Sequence, residues 1–133
     1  MSDYTLSATL DRTYEDTVTD VRAALADAGF GVLTEIDVRA TMRNKLDLEV
    51  APEVILGACR PQLAHQAMTA EPSIAALLPC NVVVRALDDD RTVVEAIDPA
   101  TMLQLADNEA LTAVADEVRE RLTGMLGSLA DHD

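Results

Sequence analysis

The chain predicts an α+β fold: an antiparallel sheet of about five strands, in β-α-β4-α order with short helical insertions, and a long C-terminal helix packed on it. Three observations carry this. Several short runs alternate apolar and polar residues with a period of two. The strands cluster and end in a hairpin, whereas a parallel sheet would alternate strand and helix throughout. The last segment carries one long apolar stripe at helical spacing.

In order, Tyr4, Leu6, Ala8 and Leu10 alternate with Thr5, Ser7, Thr9 and Asp11, a half-buried strand. Tyr14, Val18, Val21, Leu25 and Ala28 then recur as one face of a helix, with Thr13 or Asp11 to cap it and Gly29 to stop it. Gly31 to Asp37 reads as a second strand, with Val32, Thr34 and Ile36 opposite Leu33 and Glu35. Val38, Met42 and Leu46 mark a short helix that holds Arg39, Arg43 and Lys45, three of the ten basic residues, a local positive spot whose plainest role is to offset nearby acid. Val54 to Cys59 is a strand. Pro61 suits a helix's first turn, where its missing N–H costs nothing, and that helix runs through Leu63, Ala64, Ala67 and Met68 to Glu71-Pro72. Ser73 is placed to cap a turn reaching Leu78. Asn81 to Leu87 and Thr92 to Ile97 form a hairpin about Asp88-Asp89-Asp90. Asp98-Pro99 opens a short helix through Met102, Leu103 and Leu105, and Asp107 or Asn108 caps the last one, whose stripe is Leu111, Val114, Ala115, Val118, Leu122, Met125, Leu126 and Leu129.

With 133 residues the chain is the length of one domain, residues 1–133, and long enough for a core without staples. Aromatics are only 2% and Trp is absent, so the core must be aliphatic and a base-stacking platform is not expected. A formal net charge of −14 repels a phosphate backbone and an anionic membrane, so neither nucleic acid nor membrane is expected as a partner. The N-terminus shows no signal-peptide pattern and no apolar run reaches membrane-spanning length, which points to a soluble, cytoplasmic protein. Lys45 is the only lysine and Asp outnumbers Glu, a pattern that fits a halophilic setting in which concentrated salt screens self-repulsion. A GC-rich genome would favour the same Arg-for-Lys bias.

Two cysteines are the sharpest candidates for chemistry. Cys59 follows Ile55-Leu56-Gly57-Ala58 and precedes Arg60-Pro61; Cys80 follows Leu77-Leu78-Pro79 and precedes Asn81. In antiparallel neighbours both sulfurs would reach the same end of the sheet. Arg60 and the helix starting at Pro61 would then favour a thiolate, and Asn81 would donate to an anion. Such a pocket suits thiol redox chemistry, sulfur carriage or a soft metal such as Cu(I); equally, both cysteines fit a core as small hydrophobes. His65 lies on the helix after Cys59 and His132 near the C-terminus, but neither has zinc-ligand spacing, so no metal site or cofactor is expected. The Asp88–Asp90 run lacks the alternation of a calcium loop, Ser73 has no Gly-x-Ser-x-Gly context, and Rossmann and P-loop glycine patterns are absent.

Several runs together resemble the domain-of-unknown-function family 302: Gly29-Phe30-Gly31-Val32-Leu33-Thr34-Glu35-Ile36-Asp37, Ile55 to Pro61 with Ala64 and Ala67, Glu71-Pro72-Ser73-Ile74 leading to Leu77-Leu78-Pro79-Cys80-Asn81-Val82, and Asp98-Pro99 with Met102. The resemblance spans nearly the whole chain. It implies a fold like that of the TATA-box-binding protein, with a curved sheet and a closing helix, and small prokaryotic homodimers; it implies no activity. The expectation is therefore a homodimer binding a small ligand or partner near the edge marked by Cys59, Arg60, Cys80 and Asn81. The alternatives are a thiol-dependent redox, sulfur-carrier or soft-metal protein and a structural dimerisation module; whether the chain is an enzyme stays open. If the charge pattern serves high salt, cooperative thermal unfolding monitored by circular dichroism should weaken on dilution from molar KCl. A melt unchanged in low-salt buffer would remove that reading.

Overall fold

The computed structural model describes residues 3–130. Its elements are β1 (Thr5–Leu10), α1 (Tyr14–Asp27), β2 (Gly31–Asp37), α2 (Val38–Leu46), β3 (Glu53–Cys59), α3 (Pro61–Ala70), β4 (Cys80–Ala86), β5 (Thr92–Ile97), α4 (Ala100–Ala106) and α5 (Thr112–Ala130). Short 3-10 turns at Pro72–Leu77 and Glu109–Leu111 precede β4 and α5. The strands form one antiparallel sheet in the order β1-β5-β4-β3-β2.

Strand alternation gives the sheet two unlike faces. Leu10, Val54, Leu56, Ala58, Cys80, Val82, Val84, Val94 and Ala96 project into the core, where Val21 and Leu25 of α1 and Val118, Leu122, Met125 and Leu129 of α5 meet them. Burying each such Val or Leu is worth about 1.5–3 kcal/mol, and Tyr14 packs only partly against them. The register puts Thr5, Ser7, Thr34, Ile36, Ile55, Gly57, Asn81, Val83, Arg85 and Glu95 on the other face. Ser7, Thr34, Ile36 and Asn81 there are exposed.

Local signals account for the ends. Thr13 Oγ1 accepts from the Asp16 N–H at 3.2 Å and caps α1. Gly29 follows with φ of 89°, a left-handed conformation only glycine adopts without strain. Asp37 caps α2 by accepting from the Ala40 N–H at 2.9 Å. Asp98 accepts from the Ala100 N–H at 3.0 Å ahead of α4, and Asn108 from the Ala110 N–H at 2.9 Å ahead of α5, which settles the cap in favour of Asn108.

Four details differ from the sequence reading. A bulge between Val32 and Thr34 breaks the alternation of β2: Val32 pairs with Ala58 on the core side, while Thr34 and Ile36 pair with Gly57 and Ile55 on the other. The stripe of α2 is not a core face, since no residue of that helix is buried and Leu46 is 61% exposed. The turn after α3 begins at Pro72 with Glu71 before it, and no side chain caps it, Ser73 included. Thr17, polar and outside the predicted stripe, is fully buried in α1; its hydroxyl donates to the Thr13 carbonyl at 2.7 Å, which removes the cost of burying it.

Gly57 leaves no room for a side chain. A methyl placed there would overlap the Thr34 hydroxyl and lie 2.8 Å from Pro79 Cγ, because the chain leading into β4 passes over this position. Gly124, inside α5, has nothing within 4 Å of the same position. Urea denaturation should therefore separate the two alanine variants. Gly57→Ala should lose about 1–3 kcal/mol to overpacking, whereas Gly124→Ala should gain about 0.5–1 kcal/mol from helix propensity. Equal and small effects at both positions would contradict the packing described.

Candidate functional site

The register brings the two cysteines to one end of the sheet: Ala58 pairs with Cys80 and Gly31 with Cys59. Their settings differ. Cys80 is on the core face and 8% exposed, whereas Cys59, one residue beyond Ala58, terminates β3 and is half-buried. Both are free thiols, and together with Phe30, Leu63 and Met102 they border a crevice of about 20 Å³. That is room for about one water; the crevice holds no ligand-sized volume.

The expected thiolate is not supported. Burial raises the Cys59 thiol above its ordinary range. Burial, with a smaller contribution from neighbouring Cys59, pushes Cys80 up to about 11. Arg60 does not counteract this, because its guanidinium is engaged elsewhere. Its Nη1 donates to the Gly29 carbonyl at 3.4 Å and its Nε lies 3.8 Å from Glu117 Oε2. Arg121 Nη1 donates to the adjacent Ala28 carbonyl at 2.9 Å. Two arginines thus satisfy carbonyls at the C-terminal end of α1, where positive charge is favourable. Arg60 borders the crevice but serves helix packing.

Asn81 parts company with the thiols. One residue past Cys80, it falls on the opposite face and lines a groove of about 500 Å³. The floor is Asn81, Val83, Glu95 and Ile97; Thr5 and Tyr4 flank it, and Leu77 to Pro79 form a wall. Glu95 is held in place from two sides: Arg85 Nη2 lies 2.9 Å from Oε1, and Thr5 Oγ1 donates to Oε2 at 3.1 Å. Beyond Tyr4, Leu77 and Ile97 lies a second cavity of about 270 Å³, walled by Cys80, Pro99, Met102 and Leu105. Its lining is nearly all apolar. The hydroxyl of Thr101 there already donates to the Asp98 carbonyl at 2.8 Å.

Of the residues nominated from sequence, then, Cys59, Arg60 and Cys80 share the small crevice and Asn81 belongs to the large groove. Tyr4, Thr5, Leu77, Glu95 and Ile97 were not nominated. Each reads locally as an ordinary strand or turn residue, and only the strand order makes them neighbours. His65 is exposed on α3 and does not border the crevice; His132 lies outside the described residues. The acidic hairpin is self-satisfied: Asp88 accepts from the Asp90 N–H and from Arg91 Nε, each at 2.9 Å, which holds its carboxyl below the usual range. Among the described residues no three His, Cys, Asp or Glu side chains gather as metal ligands, and no helix is long and apolar enough to cross a membrane.

The sequence profile of Domain of unknown function DUF302 matches residues 6–129. No curated protein matches the chain. The crystal structure of an uncharacterized conserved DUF302 protein from Bacillus stearothermophilus superposes with a TM-score of 0.87 at 24% identity, covering 96% of this chain and 99% of that one. At that identity the likeness speaks for the fold alone.

Raised thiols make a pH prediction. Cys80 stays protonated in the native state where an unfolded thiol ionises, so its contribution to stability is full below about pH 9. It should be lost progressively as pH rises towards 11, by about 2–3 kcal/mol. Thiolate absorbance at 240 nm should accordingly stay absent below pH 8, and Cys80→Ala should flatten the alkaline loss of stability. A thiolate signal near neutral pH would overturn this account and restore the cysteines as nucleophiles.

Proposed function

Because the chain belongs to the DUF302 family of unknown function, we propose from its own geometry that it is a small-ligand-binding domain acting as a homodimer, with its ligand in the groove that begins at Asn81 beside the Cys80 edge. The observation that carries the reading is the groove's composition. A volume of about 500 Å³ lies within the range of small-molecule sites. Its floor mixes the apolar Val83 and Ile97 with convergent polar groups: the Asn81 amide and the Glu95 carboxylate, with the Thr5 hydroxyl beside them. Glu95 is already fixed by Arg85 and Thr5, so a ligand meets an ordered surface. The raised thiols, Cys80 buried and Cys59 half-buried, weigh against redox or sulfur-transfer chemistry there.

Exposed apolar side chains on β2, α2 and the loop that follows, namely Leu33, Ile36, Leu46 and Leu48, favour self-association on that side of the sheet. The lysine-poor, acidic composition fits a salt-rich cytoplasm as its setting.

A screen of small neutral fragments by heteronuclear NMR tests the reading. Shift changes should concentrate on the Asn81 side-chain amide and the methyls of Val83 and Ile97. Asn81→Phe, which fills the groove from an exposed position, should abolish them. Light scattering of the same samples should return twice the chain mass. Perturbations centred elsewhere would remove the groove, and a monomer at all salt concentrations would remove the dimer.

A further inference from the structure

The two cavities differ in chemistry, and they share a border. The groove on the sheet face offers an amide, a hydroxyl and a carboxylate. The cleft beside it, walled by Cys80, Pro99, Met102 and Leu105, offers almost no polar partner: its threonine hydroxyl is spent on a backbone carbonyl, and its cysteine is buried in apolar surroundings. Tyr4, Leu77 and Ile97 line both, so the cavities adjoin across these three side chains. Tyr4 is anchored there, because its carbonyl accepts from the Asp98 N–H at 2.8 Å and ties the start of β1 to the entrance of α4. Leu77 and Leu105 are 41% and 71% exposed, so the cleft presents apolar surface to water. Leaving that surface wet has a cost that an apolar occupant would remove.

We propose that the ligand is a small amphiphile: an apolar chain lying in the Met102–Leu105 cleft and a head without negative charge lying over Asn81 and Glu95. This deepens the groove reading and rests on it. The head's charge follows from the site: among the described residues Glu95 is the one charged residue that lines the groove, its partner Arg85 stands outside the lining, and the chain as a whole carries −14. The chain length follows from the volume. At about 30 Å³ per group, the liquid share of a water molecule, a cleft of about 270 Å³ takes a chain of roughly nine carbons.

Calorimetric titration with n-alkyl glucosides and n-alkyltrimethylammonium salts of increasing length, below their micellar concentrations, tests this on the intact protein. Affinity should rise about three- to fourfold per methylene and level off near nine carbons, and n-alkyl carboxylates of equal length should bind at least about tenfold more weakly. Leu105→Arg, at an exposed position on the cleft, should remove the dependence on chain length, with Leu105→Ser as a milder variant should the arginine disturb α4. Asn81→Phe should remove binding of every probe. Leu87→Asp, an exposed apolar residue in the distant hairpin, should change nothing. A flat response to chain length, with NMR shifts still centred on Asn81 and Val83, would overturn the amphiphile while the groove stands. Binding by neither alkyl probes nor fragments would overturn both. Chain-length dependence that survives Leu105→Arg, Leu105→Ser and Asn81→Phe would mean adsorption elsewhere and would also overturn the proposal.

Discussion

One-sided burial of the sheet is the constraint from which the other features follow. The strands commit alternate side chains to one helical layer built chiefly from α1 and α5, β2 least of all, and that layer is mostly aliphatic. Since the period of a strand is two, fixing Leu56, Val82 and Val94 inward fixes Ile55, Val83 and Glu95 outward. The outward face has no helical layer equal to the inner one. Its polar and half-buried residues are therefore consequences of the core's register.

The chain covers part of that face with something less regular than a helix. Between α3 and β4 the segment from Pro72 to Pro79 crosses the end of β3, and the missing side chain at Gly57 lets it come close. This crossing turns a flat sheet surface into a concave one with Leu77 to Pro79 as a wall. The same segment delivers Cys80 to the core face and Asn81 to the groove, so two adjacent residues end in unlike surroundings. At the same end of the sheet, Arg60 and Arg121 close the C-terminus of α1 against α5 and β3. A residue beside a cysteine in sequence thus serves helix packing, because carbonyls at a helix end attract a guanidinium more effectively than a neutral thiol does.

Most of the architecture was legible in the sequence because it rests on periodicity, which is local. The element order, the hairpin about Asp88–Asp90 and the stripe of α5 all follow from spacing alone. The bulge in β2 was not legible, since Val32-Leu33-Thr34 alternates acceptably in either register and only pairing with β3 decides which face Thr34 joins. The helical spacing of Val38, Met42 and Leu46 was real, but spacing specifies a helix without specifying that anything packs on it. The site was legible only as a neighbourhood. The matched contexts of Cys59 and Cys80 pointed to the end of the sheet where both residues lie, and they drew attention to sulfur because it is the chemically distinctive atom. The concavity itself is assembled from Tyr4, Thr5, Leu77, Glu95 and Ile97, residues up to ninety-odd positions apart with no shared motif.

The scarcity of aromatic side chains has a practical side. With Trp absent, ultraviolet emission from this chain comes from Tyr4 and Tyr14. Tyr4 stands between the two cavities, whereas Tyr14 sits at the start of α1 beside Leu87 and Asp88 of the β4–β5 turn. Tyr4 is consequently an intrinsic optical reporter on the strip between the two cavities, and because Tyr14 emits in the same band, a Tyr14→Phe background isolates its signal without labelling.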